Sequence, residues 1–562
     1  MIGQPHWLGP DNKVFAMVHR PPDKVRGSVV IVAPLGYEAV GSYPTLRTLG
    51  ERLSDMGFLC LRVGFPLMSN SLAVSGEDQV PAWRETVSQT VAEARRLSST
   101  RVAVVGLRFS ATVAAQLAAE DGPDALVLWD PVVDGRRYVR GMRLLVAEQP
   151  HNDSTGDIVA AGINFSAETL RSMNATKLQV DRVTIPALVL QRSDASSEPS
   201  VAANAPGLTT VEAVAGTSEM LDTDAELAVV PSAILDRIGA WLAAEFPATD
   251  AVLPVPLALC DVTRETHGSQ VLLHQALRVG PRKVFAVTTT LADTMPEAAV
   301  IFLNNGAAPN LGPGAAWLGW AADVALDGAI AVRLDVSGIG DTARHPRQTD
   351  STNYPISAAD DVGDVIDLLT ARGVDRVALV GLCSGASLSF DAALARDEVT
   401  MIVAINPRFD KPFHDSWRRE VRAAGQSNRF LSIPLSKSTL FPFFDKLPTA
   451  MWRTLFAARL LSTPTKAIEG VVNDRRSVLL VFGHGEWGHR ALVRRAPKQL
   501  ARLNRHARFT LTKIDTLEHN MFAPDGRRDV EEVVRHHLRR DFFPASRSSP
   551  HAVPQTQPES SE

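Results

Sequence analysis

Cysteine is scarce: Cys60, Cys260 and Cys383 are the only three in 562 residues, too few and too scattered for a disulfide framework or a zinc site. Cys60 and Cys260 lie in apolar strand-like contexts (FLCLRV, LALCDV) and are expected to be buried small hydrophobes. Long hydrophobic runs are missing too. The longest charge-free apolar-rich stretch runs from Val377 to Phe390, short of the roughly 18 apolar residues a membrane span requires. The first residues lack the charged-then-apolar pattern of a secretion signal. No charge sign dominates: the net charge is −4 and Lys and Arg are spread along the chain, which disfavours nucleic acid as a partner. The Gly-rich run Asp335-Val-Ser-Gly338-Ile-Gly-Asp341 lacks the spacing and the lysine of a phosphate-cradling loop, and is read as scaffold. These absences lead to the expectation of a soluble, cytoplasmic protein with no metal, no cofactor and no membrane span.

What is present is ordinary globular composition, 45% apolar and 21% charged, arranged twice. Lys13-Val-Phe-Ala16 returns as Lys283-Val-Phe-Ala286, and Val29 to Gly36 (VVIVAPLG) as Ala299 to Gly306 (AVIFLNNG), both 270 positions later. Leu61-Arg62-Val63 answers Val332-Arg333-Leu334, and Leu188 to Asp194 answers Leu480 to Glu486 at the wider spacing of 292. A period this long means two similar globular domains in tandem rather than a solenoid, and units of roughly 250 to 290 residues can each bury a full core. In both halves continuous Val/Ile/Leu/Ala runs alternate with amphipathic stretches such as Trp83 to Leu97 and Ala358 to Arg372. Strands buried on both faces and alternating with helices predict doubly wound, mostly parallel α/β sheets.

The Pro-rich stretch Phe246 to Pro256 marks a boundary, giving a first domain over 1–248 and a second over 257–543. The polar, Pro/Ser-rich residues 544–562 read as a disordered tail. Between the runs Met401 to Asn406 and Ser477 to Phe482, a segment carrying Trp417, Phe430, Phe441, Phe443, Phe444, Trp452 and Phe456 predicts a helical lid over about 407–476. A shorter counterpart, Val132 to Ile185, stands in the first half.

The repeated phrase with most chemistry in it is Arg101-Val-Ala-Val-Val-Gly-Leu-Arg-Phe-Ser-Ala111 and its copy Arg376-Val-Ala-Leu-Val-Gly-Leu-Cys-Ser-Gly-Ala386. Each is an apolar strand entering a Gly turn and a small-residue helix, the layout of a nucleophile elbow. In the second copy Gly381 and Gly385 flank Cys383, a thiol that a helix N-terminus favours as thiolate. Ser384 is the rival nucleophile, although its flanking positions are Leu382 and Ala386. A base and an orienting acid are then needed. Gly483-His-Gly-Glu486 follows one strand-like run and Leu517-Glu-His519-Asn-Met-Phe another, so Glu486 and His519 are the candidates, with Asp515 as a second choice of acid. His484 and His489 crowd the acid loop, as substrate contacts or as solvated residues. For the oxyanion the backbone N–H of Ser384 is expected to act with one from Asn304-Asn-Gly-Ala307, that of Ala307.

The second half thus resembles the α/β-hydrolase superfamily, in its serine-aminopeptidase-like and monoglyceride-lipase-like branch. The runs that carry the resemblance are AVIFLNNGA, VRLDVSGIGDT, VALVGLCSGAS, VLLVFGHGE and LEHNMF. It implies an acyl-transfer site acting on an ester, thioester or amide, with Cys383, Glu486 and His519 as nucleophile, acid and base. Cys stands where serine is usual, as in dienelactone-hydrolase-like members, and Glu where Asp is commoner. Hydrolysis of a carboxylic ester or thioester, or transfer of the acyl group, is the expected activity, the partner being a small acyl substrate, free or carrier-linked.

The first half resembles the same superfamily, in proteins with Gly-Leu-Arg at the elbow, but Arg108 replaces the nucleophile and no histidine occurs from 152 to 266. A guanidinium stays protonated at neutral pH, so this half is expected to be a pseudo-enzyme. Arg108 could contact an anion such as a carboxylate or phosphate, or pair with Asp194; Ser110 is an off-register alternative nucleophile. Two other classes remain open: a non-catalytic ligand-binding pseudo-hydrolase, and a lyase or isomerase using His519 as base without a covalent intermediate.

Overall fold

The apolar runs become the strands of two sheets in a computed structural model. It describes residues 2–72, 76–119, 122–146, 156–193, 201, 209–353, 355, 357–408 and 465–543. In the first half the strands are β1 (Gln4–Leu8), β2 (Val14–His19), β3 (Gly27–Val32), β4 (Phe58–Val63), β5 (Val102–Leu107) and β6 (Ala125–Trp129). A two-stranded hairpin, β7 (Ile158–Ala160) and β8 (Ile163–Phe165), precedes β9 (Ala187–Arg192) and β10 (Thr209–Val214). The second half holds β11 (Val262–His267), β12 (Gln270–Val279), β13 (Val284–Leu291), β14 (Ala298–Phe302) and β15 (Ile330–Asp335). It continues with β16 (Arg376–Leu382), β17 (Val399–Ile405), β18 (Ser477–Gly483) and β19 (Phe509–Ile514).

The first sheet runs β1-β2-β4-β3-β5-β6-β9-β10 and the second β11-β12-β13-β15-β14-β16-β17-β18-β19. From β4 and from β15 onward every pairing is parallel, while the strands at the other edge pair antiparallel. Each repeated phrase falls on an equivalent strand: Lys13 to Ala16 with Lys283 to Ala286 on β2 and β13, the VVIVAPLG and AVIFLNNG runs on β3 and β14, the elbows on β5 and β16. The expected tandem α/β architecture is therefore the observed one, with one extra antiparallel strand, β11, at the edge of the second sheet. The central strands are buried on both faces, which is why they read as continuous rather than alternating apolar runs. Helices cover them with one apolar face: Val80–Ser98 buries Trp83, Val87, Val91, Ala94 and Leu97 at spacings of three and four.

The aromatic lid expected over 407–476 falls mainly on 409–464, and the tail on 544–562; both lie outside the described residues. The helix Lys466–Asn473 buries Ile468, Val471 and Val472 in the core just before β18.

The two halves share an interface. Trp7, Phe15, Met17 and Leu72 of the first pack with Ala276, Phe285 and Val287 of the second, Phe15 and Phe285 having ring centroids 5.9 Å apart. Beside this cluster the Asp341 carboxylate accepts from Tyr43 Oη at 2.6 Å and pairs with Arg62, both of the opposite half. Arg47 reaches the Gly340 carbonyl at 2.7 Å and pairs with Asp350. Burial opposes the charge on Asp341, but the Arg62 and Arg278 guanidinia outweigh it and hold the carboxyl below its ordinary value. Its contribution to stability is therefore present above the unfolded-state value and is lost as pH falls through the folded one. Arg62→Ala, which strands this buried carboxylate, is expected to cost about 3–5 kcal/mol of stability, measured by denaturant unfolding.

Candidate active site

The β16 strand delivers Cys383 into a backbone conformation that side chains seldom adopt, φ 54° and ψ −107°, immediately before the helix Ser384–Ala395. The turn is tight enough to require its two glycines. A Cβ on Gly381 would lie 2.3 Å from the Gly385 carbonyl carbon, and one on Gly385 would lie 2.4 Å from the Asn304 oxygen. The elbow projects the Cys383 thiol upward from the carboxyl edge of the sheet, and the sulfur is partly buried.

Two loops from distant chain positions meet it there. The β18 strand ends in the turn that carries Glu486, and the loop after β19 carries His519. His519 Nδ1 lies 3.0 Å and 3.2 Å from the two Glu486 carboxylate oxygens, which leaves Nε2 for the sulfur. Cys383 and His519 line the same cavity, and each shifts the other's ionisation. Burial opposes a charged sulfur, yet the His519 hydrogen bond and charge, the Arg408 charge and the Ser384 amide together hold the thiol below its ordinary value. Burial likewise opposes an imidazolium, and Cys383 and Glu486 overcome it, raising His519 to about 9. The arrangement favours charge on both partners, His519 favouring a thiolate and Cys383 with Glu486 favouring an imidazolium.

The loop expected to supply an oxyanion amide follows β14. Gly306 N–H donates to Ser384 Oγ at 2.9 Å, so that amide and the rival hydroxyl occupy one another. Among the described residues the Ala307 N–H makes no hydrogen bond, and Ala307 lines the same cavity as Cys383, Ser384 and His519. The loop is pinned from beneath by Asp335, which accepts from Asn310 N at 2.7 Å and from Asn304 Nδ2 at 3.2 Å. Burial and the neighbouring Asp341 charge push Asp335 up to about 6. The Gly-rich run read as scaffold is thus the support of this loop.

Other sequence candidates stand apart. Asp515 is 94% exposed and lies 3.9 Å from the equally solvated His484, not beside His519. His489 stacks edge-on against Phe482 at 5.5 Å and is not among the residues lining the cavity.

One positioning residue had no motif to announce it. Asn406, 1% exposed, follows β17 at φ 45°. Its Oδ1 accepts from Gly483 N–H at 2.9 Å, and its Nδ2 donates to the Glu518 and His519 carbonyls at 3.2 Å each. A single amide therefore ties the acid strand to the histidine loop. Asn406→Leu is expected to leave a buried N–H and two carbonyls unpartnered. Turnover should fall about tenfold to a hundredfold, and the pH dependence of Cys383 alkylation should shift upward as His519 loosens. Kinetics and alkylation rates on the folded variant check this.

The first half has the same elbow without the same chemistry. Arg108 holds φ 59° and ψ −125° at the start of the helix Phe109–Gln116. Its Nε donates to Glu38 Oε1 at 2.9 Å and its Nη1 to Asp130 Oδ2 at 2.9 Å. Tyr138 Oη donates to the other Glu38 oxygen at 2.8 Å, and Arg192 Nε to the same Asp130 oxygen at 2.7 Å. The anions that Arg108 meets are thus the chain's own carboxylates, and they fill the space above the elbow. Asp194, its other expected partner, lies outside the described residues. Ser110, fully buried, donates to the Leu107 carbonyl at 2.8 Å. Glu38 comes from the position matching the oxyanion loop, and Asp130 from the position matching Asn406.

Residues 300–535 match the family model described as "Alpha/beta hydrolase family". That span runs from β14 through the elbow and the loops that carry Glu486 and His519 into the helix Pro524–His537. The second half is thus similar to that family, and its fold is α/β-hydrolase-like. Similar solved structures include Est1E from Butyrivibrio proteoclasticus, 15% identical with a TM-score of 0.32, covering 44% of this chain and 99% of that one. An esterase from Thermogutta terrifontis is 16% identical with a TM-score of 0.29, covering 48% and 98%. The proline iminopeptidase of Mycobacterium smegmatis is 14% identical with a TM-score of 0.27, covering 49% and 98%. No curated protein matches the chain. Among the described residues no cluster of His, Cys, Asp or Glu could hold a metal ion, and no helix is long and apolar enough to cross a membrane.

Proposed function

We propose that the protein is an acyl-transfer enzyme that hydrolyses a carboxylic ester or thioester through Cys383, His519 and Glu486. One observation carries the reading: three side chains from three separate loops converge at the elbow, Cys383 and His519 on one cavity and His519 Nδ1 against the Glu486 carboxylate. The Cys383 thiolate attacks the carbonyl carbon, a C–S bond forms, and the carbonyl π electrons move onto oxygen. The amides of Ser384 and Ala307 receive that oxyanion. Collapse re-forms the carbonyl and breaks the bond to the leaving group, which takes a proton from His519 Nε2. Water then attacks the thioacyl carbonyl as His519 takes its proton, and the second collapse releases the acid and restores the thiolate. An alcohol or amine in place of water would complete a transfer instead. Glu486 fixes the imidazole tautomer and stabilises the imidazolium.

In this reading residues 257–543 form the catalytic domain and 1–248 a domain without catalytic chemistry of its own. Support for the second part is the elbow of the first half, where Arg108, Glu38 and Asp130 neutralise one another in place of a nucleophile and base.

The reading is tested by incubating the intact protein with a panel of activated esters and thioesters, quenching in acid and measuring peptide masses. The expected result is an acyl adduct on the peptide that carries Cys383. Turnover of any member of the panel with no adduct on that peptide at any time, including under rapid quench, would favour chemistry without a covalent intermediate.

A further inference from the structure

The cavity above Cys383, about 200 Å³, is not enclosed by the catalytic half alone. Tyr37 and Val40 from the helix Gly36–Asp55, Ala161 from the β7–β8 turn, and Asp224, Ala225 and Glu226 from the turn before the last helix of the first half form one wall. The opposite wall carries Cys383, His519 and Arg408. The first half is held against this site by close backbone contact. Arg527 donates to the Gly162 carbonyl at 2.6 Å and the Gly314 carbonyl at 2.9 Å, and a Cβ on Gly162 would lie 2.5 Å from the Gly314 Cα. Tyr37 meets Phe522, three residues beyond His519, edge to face at 6.2 Å.

The charge in the cavity is divided. Arg408 and His519 stand by the sulfur, while the wall from the first half is acidic. Glu226 Oε1 would lie 3.1 Å from a Cβ placed on Gly306, so its carboxylate borders the oxyanion loop. Glu226 is half-buried and makes no ion pair or side-chain hydrogen bond among the described residues. Tyr37 registers the same field: burial, then the Asp224 and Glu226 charges, raise its hydroxyl above the ordinary value.

We propose that the non-catalytic first half is the specificity wall of the active site, and that Glu226 selects acyl substrates carrying a cationic group and disfavours anionic ones. This rests on the reading of Cys383 as the nucleophile. A partly desolvated carboxylate unpaired among the described residues attracts an ammonium and repels a carboxylate at the distances a cavity of this size allows. The Coulomb energy across such a site is moderated by its opening to solvent, which places the discrimination at about tenfold rather than thousands.

The test uses the full chain and nitrophenyl esters of three acyl chains of equal length, ending in ammonium, methyl or carboxylate. Acylation of Cys383 by peptide mass and kcat/KM are measured for each. Wild type is expected to prefer ammonium over methyl by about tenfold and to use the carboxylate ester least. Glu226→Gln should bring ammonium and methyl to within about twofold, and Glu226→Lys should reverse the order. Acylation of Cys383 without charge preference, or a preference that survives Glu226→Gln, would overturn the inference alone. Failure of all three esters to acylate Cys383 would overturn the reading of the nucleophile, and this inference with it.

Discussion

Cys383→Ala is expected to lower kcat by roughly 10⁴–10⁶-fold and to abolish the acyl adduct, the scale reached when a covalent nucleophile is removed from a hydrolase triad. The loss should come with little change in folding, because alanine keeps the Cβ and the rest of the elbow is set by Gly381 and Gly385. Circular dichroism and the unfolding midpoint report on that directly. Cys383→Ser separates sulfur from geometry. A hydroxyl does not ionise near neutral pH, so this variant relies on His519 to take the proton during attack. It should retain measurable turnover, well below wild type. The complementary substitution, Arg108→Cys in the first half, should create no activity. It would expose Glu38 and Asp130 to one another without their guanidinium, and no imidazole stands in the loop that would have to serve it.

His519→Ala is the second large effect, expected to reduce kcat by about 10²–10⁴-fold or more, and its pH signature matters more than its size. In wild type the His519 hydrogen bond and charge outweigh burial and hold the Cys383 thiol low, while Cys383 and Glu486 hold His519 up to about 9. Reaction through a thiolate and an imidazolium should therefore rise as pH passes the depressed thiol value. It should level across neutral pH and fall above about 9, where the imidazolium loses the proton it must give to the leaving group. Removing His519 removes the largest force holding the thiol down. Burial then dominates, and the rising limb should move to higher pH. Glu486→Gln should instead lower the upper limb, as the imidazolium loses its carboxylate.

Much of this geometry could be read from local patterns. The elbow is a contiguous phrase whose glycines are dictated by backbone contact, and both copies take positive φ at the central residue, Arg108 and Cys383 alike. The strands and their alternation with helices followed from repeated apolar runs, and the choice of Glu486 and His519 from their places after the strand-like runs that become β18 and β19. What could not be read were contacts that exist only across the fold. Nothing near Arg108 in sequence names Glu38 or Asp130 as its partners, 70 and 22 positions away. Asn406 is one Asn after a strand, and only the meeting of β18 with the loop after β19 makes its amide a tie between acid and base. The acidic wall was invisible for a further reason: Asp224 and Glu226 lie in the first half, yet they line the cavity of Cys383 in the second. In β-strands and elbows the spacing of residues specifies their neighbours; at an interface between two domains it does not.

The most direct measurement of the central claim is the rate of Cys383 alkylation by iodoacetamide as a function of pH, followed by peptide mass in wild type and in His519→Ala. If Cys383 is a nucleophile paired with His519, wild-type alkylation persists well below the ordinary thiol range and its inflection rises in the variant. An inflection at or above the free-cysteine value in wild type, unchanged by His519→Ala, would contradict the account.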